Sequence, residues 1–115
     1  MTAKRETKAL LFLLGYELFQ RDLEVNSSAV DWTAVLAEGD KHAVTALLYP
    51  GMRQLNGVPQ DALAKARSAA ITATIASEHM LNNQQEILDL LEAHRIPCAV
   101  LKGTSVACFY PHPEL

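Results

Sequence analysis

The chain reads as mainly α: a helical N-terminal bundle with one long helix, followed by a single strand–turn–helix, an α+β fragment with an incomplete sheet. Three observations carry this. Apolar residues recur at helical spacing from the N-terminus to His94. A continuous apolar run, residues 96–101, then replaces that periodicity. A glycine at position 103 breaks the run, and Leu115 comes before any second strand can follow. The organisation is therefore residues 1–95, helical, and residues 96–115, strand–turn–helix.

The first helix is expected over residues 5–20, with Leu10, Leu11, Leu14 and Leu18 on one stripe and Phe12, Tyr16 and Phe19 widening it. Ser28 with Asp31 reads as a capping box for a short second helix that ends near Gly39. A third helix spans 40–49, with Ala43, Val44, Leu47 and Leu48 inward, until Pro50 and Gly51 stop or kink it. Met52 and Leu55 continue as a short turn. Pro59 suits a first helical position, and Asp61 puts negative charge in that first turn. Nothing then breaks a helix before His94, a length of about 50 Å at ~1.5 Å per residue. Leu63, Ala66, Ala70, Ala73, Leu81, Leu88 and Leu91 recur along it, and Pro97 forbids much continuation.

With 50% hydrophobic and 20% charged residues, the 115-residue chain is no disordered tail. Its 13 acidic and 10 basic side chains leave a net charge of −3, with no basic stripe for a phosphate backbone, so nucleic acid is excluded as a direct partner. Lys4, Arg5 and Lys8 ahead of the apolar residues 9–14 imitate an export signal. Gly15, Tyr16 and Glu17 interrupt the run, no cleavage site follows, and the run is too short to cross a bilayer. The expectation is a cytoplasmic protein without a membrane partner. Cys98 and Cys108 form no Cys-x-x-Cys pair and read as buried reduced thiols.

Lys102, Gly103, Thr104 and Ser105 form the one constellation with chemistry in it. Glycine admits a ligand close to the backbone, Thr104 or Ser105 can cap the next helix, and free N–H groups there favour an anion. Lys102 would add a point charge. The plainer reading, that Gly103 only turns the chain and Lys102 is solvated, stands beside it. This is no Walker A loop, because the spaced glycines are absent. His42, His79, His94 and His112 lack metal-ligand spacing. Glu86, Asp89 and Glu92 read as a solvated helix face, and Trp32 as core. No catalytic residue and no metal ligand are assigned.

Several stretches resemble a bacterial family of nucleotidyltransferases in the DNA polymerase β-like superfamily. They are Leu10 and Leu11, Asp31 and Trp32, residues 42–49 from His42 to Tyr49, then Leu88 and Leu91. Most specific are residues 96–103 and the later Tyr110 and Pro111. The resemblance implies transfer of a nucleoside monophosphate from an NTP to an acceptor by two-metal chemistry. The glycine turn would hold the nucleotide phosphates, and an Asp-x-Asp pair on the next strand would bind Mg²⁺. Lys102 and Gly103 match the family segment, while Thr104 and Ser105 approximate its Gly-Ser pair. No aspartate follows between Tyr110 and Leu115, so the chain reads as a truncated N-terminal part, inactive by itself. The alternative is a non-catalytic helical interaction module that forms a homodimer through strand 96–101 or a swapped C-terminal helix.

Overall fold

A computed structural model describes residues 4–100 and 110–115. Four α-helices account for most of them: α1 (Lys4–Phe19), α2 (Trp32–Lys41), α3 (Thr45–Gln54) and α4 (Gln60–Ala93), with a 3-10 turn at Ser27–Ala29 before α2. The chain divides into two compact units, Met1–Thr72 and Ala73–Leu115.

The core lies in the first unit, where α1, α2 and α3 pack on one another. Leu13, Val35, Leu48 and Met52 are its fully buried centre, with Trp32, Leu36, Ala62 and Ala66 around them. On α1 the buried face is Glu6, Ala9, Leu10, Leu13 and Glu17. Of the stripe expected from the leucines, Leu10 joins the core and Leu14 packs against it, while Leu11 is left 62% exposed and Ala9 and Leu13 take its place. Because α1 is apolar over much of its circumference, periodicity could not fix the phase, and two of the face's five positions are glutamates.

Asp31 caps α2 by itself. Its carboxylate accepts from the N–H groups of Thr33 (3.1 Å) and Ala34 (3.4 Å). Ser28, the expected partner, instead donates its hydroxyl to Asn26 Oδ1 at 2.8 Å. The end of α2 at Lys41 lies two residues past the expected Gly39. That glycine is interior and buried, and a β-carbon on it would lie 2.9 Å from Leu48 Cδ1 and 3.0 Å from Thr45 Oγ1. It is there for close approach, and the helix ends further on. Ala43 takes the left-handed conformation (φ 57°), its N–H bonding the Asp40 carbonyl while the Val44 N–H reaches Gly39. This is a Schellman ending without glycine. It also explains why the third helix starts at Thr45 and why Ala43, expected inside, is exposed.

Pro50 sits inside α3 without stopping it. An interior proline costs ~3 kcal/mol or more. Carrying the helix past it buries Met52 completely and Gly51 beside it, and a fully buried methionine returns ~1.5–3 kcal/mol. The long α4 agrees with the sequence in both ends and buries Ala62, Ala66 and Ala70.

The expected strand is not seen in the part that is described. Residues 96–100 form neither strand nor helix and are exposed. A ribbon registers as a strand only through a paired neighbour, and among the described residues no second strand exists to supply the ladder. The remainder of the expected strand–turn–helix falls within residues 101–109, outside the described residues. No helix among the described residues is long and apolar enough to cross a membrane.

Candidate functional site

The approach to the expected turn is built by the end of α4. Arg95 stands in the left-handed region (φ 57°), its N–H bonding the Glu92 carbonyl at 2.9 Å, and the Ile96 N–H reaches the Leu91 carbonyl at 2.9 Å. This is a second Schellman ending, with a residue other than glycine at its turning point. Pro97 follows two residues later, its ring preventing the chain from re-entering the helix. From there residues 96–100 run toward position 102 as an exposed segment. Lys102, Gly103, Thr104 and Ser105 themselves lie outside the described residues, as does Cys108. Cys98 is a free, exposed thiol, against the expectation of burial. Without a covering sheet an apolar sequence does not by itself hide it.

The other residues weighed in the sequence have plain structural roles. Trp32 is buried and its indole N–H donates to the Ser27 carbonyl at 3.0 Å, so it serves as core. His42 lies one turn from Glu38 on α2, with 3.5 Å between Nε2 and Oε2. Asp89 accepts from the Gln85 amide at 2.8 Å on the exposed face of α4. Among the described residues no three His, Cys, Asp or Glu side chains come together to hold a metal ion.

Sequence reasoning missed Glu6. Its side chain is buried, and Oε1 accepts the Asp31 N–H at 3.0 Å, while Oε2 is buried without a hydrogen-bond partner. A carboxylate beside the first turn of α2 also meets the positive end of that helix dipole. Glu6 thereby ties α1 to the start of α2. The only available signal was a glutamate at the spacing of Leu10 and Leu13, which is indistinguishable from a surface residue in sequence.

Two crevices flank α1. One, about 320 Å³, is lined by Arg5, Lys8, Phe12 and Asn26; the other, about 490 Å³, by Lys8, Gly15, Arg21 and Asp22. Arg5 is held there by a 2.7 Å bond to the Ala29 carbonyl. Glu24 borders both, so acids and bases alternate and neither crevice is a concentrated anion site.

A family model described as an uncharacterised nucleotidyltransferase matches residues 28–115, most of the chain. The chain belongs to this family. The matched stretch runs from within the 3-10 turn through α2, α3 and α4 and takes in residues 96–105. All of α1 and the crevice walls at residues 5–26 precede it, so those crevices lie largely outside what the family shares. No match was found among curated proteins or among solved structures.

Proposed function

We propose that this chain forms the N-terminal, helical part of a nucleotidyltransferase of the DNA polymerase β-like kind, with Lys102, Gly103, Thr104 and Ser105 as its nucleotide-phosphate turn. The family match across residues 28–115, which includes that turn, carries the reading. Physical chemistry supports it at one place. A glycine after an apolar run lets successive N–H groups approach an anion, and Lys102 adds charge without needing a fixed fork geometry. Residues 96–100, which lead toward that turn in the sequence, leave α4 through the Schellman ending at Arg95.

Mg²⁺ chemistry does not fit the residues present. The sequence contains no Asp-x-Asp pair, and the described carboxylates assemble no metal site. In this reading the 115 residues bind NTP weakly through the turn and do not transfer it, and the protein acts in the cytoplasm.

Titration of the chain with ATP, CTP, GTP and UTP tests the turn, with Gly103→Val as the comparison. Weak binding that disappears in the variant supports the proposal; binding equal in both removes the turn from it. Incubation with each NTP and Mg²⁺ or Mn²⁺ tests inactivity, and a nucleotidylated product overturns it.

A further inference from the structure

On α4, Ala73, Ala76, Met80, Asn83, Ile87 and Leu90 follow one another at alternating steps of three and four. That is the a and d pattern of a heptad repeat and sets all six on one stripe. The large members stand in water: Met80 is 52%, Ile87 58% and Leu90 61% exposed. His79, Met80, Asn83 and Ile87 border a shallow groove of about 600 Å³ on the same stripe. Large contiguous apolar patches mark docking surfaces, and this stripe sets three large apolar side chains in water along one face of the helix.

We infer that its occupant is a second copy of this chain, paired antiparallel along the stripe about a twofold axis near Asn82. The order of side-chain sizes is the argument. Small residues, Ala73 and Ala76, occupy the N-terminal end, and large ones, Ile87 and Leu90, the C-terminal end. Antiparallel pairing sets Ala73 opposite Leu90 of the second copy and Ala76 opposite Ile87, so that each level matches small with large. Parallel pairing stacks alanine on alanine at one end and Ile87 on Ile87 at the other, giving a gap and a crowd.

Register is specified as well. In the matched pairing Met80 meets Asn83 of the second copy close to the axis. A slip of one heptad that sets Met80 on Leu90 and Asn83 on Ile87 puts Ala76 and Ala73 opposite positions 94 and 97, beyond the end of α4 at Ala93, and so loses two of the six levels. The flanks agree with the matched register. Antiparallel coils bring like flank to like flank, so Ser77 faces Gln84 of the second copy on one side and His79 faces Glu86 on the other, each pair occurring twice by symmetry. Asn82 and Asn83 leave the axis itself uncharged. Six positions per copy make a modest interface, and micromolar association is the corresponding strength.

Sedimentation equilibrium of the full chain tests this. A monomer–dimer equilibrium in the micromolar range is expected, with Ile87→Glu raising the dissociation constant roughly tenfold or more. Glu78→Gln, on the outward side of the heptad, leaves it unchanged. Far-ultraviolet circular dichroism checks that Ile87→Glu keeps its helix, which an exposed position permits. Orientation is read by disulfide capture in a chain carrying Cys98→Ser and Cys108→Ser. Ala76→Cys with Ile87→Cys links copies, whereas Ala76→Cys alone does not, its counterpart lying about 16 Å away along the axis. A strictly monomeric chain, a dimer indifferent to Ile87→Glu, or efficient linking by Ala76→Cys alone overturns the inference.

Discussion

Gly51 shows how one atom sets the distance between helices. A β-carbon there would lie 2.7 Å from Leu13 Cδ2, a side chain with no exposure and so little freedom to move aside. Gly51→Ala is therefore expected to destabilise the fold by about 1–3 kcal/mol in urea unfolding, despite the better helix propensity of alanine. Glu6 works in the opposite sense, as a buried polar group with one satisfied oxygen. Glu6→Ala orphans the Asp31 N–H and removes packing, and a loss of about 1–3 kcal/mol is expected in the same measurement. Neither role could be read from the chain. Glycine next to proline looks like punctuation, and a lone glutamate looks solvated, until the neighbouring helix is in place.

Among the elements, helix starts obeyed local chemistry more closely than helix ends. Asp31 caps α2 through two backbone N–H groups, and Asp31→Ala is expected to cost about 0.5–2 kcal/mol in thermal or urea melts. The ends use Ala43 and Arg95 in a conformation that glycine occupies at far lower cost. Ala43 is exposed, so Ala43→Gly removes no packing and is expected to raise stability by about 0.5–1 kcal/mol. That result would come out with the opposite sign if position 43 were an ordinary helical residue, as the sequence had it. Sequence signals for a C-terminus rest on glycine, and here the glycine at 39 was taken by packing against Leu48 and Thr45.

At the scale of the molecule, every buried side chain among the described residues belongs to the unit Met1–Thr72. Amides of α1, α2 and α3 should then exchange hydrogen only on global opening, whereas those of α4 beyond Thr72 should exchange sooner in dilute solution. The antiparallel pairing adds a second expectation. Protection over residues 76–90 should rise with protein concentration while that of α1 stays constant, which hydrogen-exchange mass spectrometry at two concentrations would read. Protection independent of concentration across both regions would count against the pairing.

The sequence by itself determined the helical class, the extent of α4 and the family, because each rests on local spacing or on a matched order of residues. Tertiary structure decided which face of α1 is inside, where α2 gives way to α3, that Pro50 is tolerated, and that residues 96–100 make no ladder within the described chain. The division has one cause. Periodicity and capping are properties of neighbours in sequence, whereas the phase of an apolar helix, the purpose of a glycine and the pairing of a strand depend on what stands across from them.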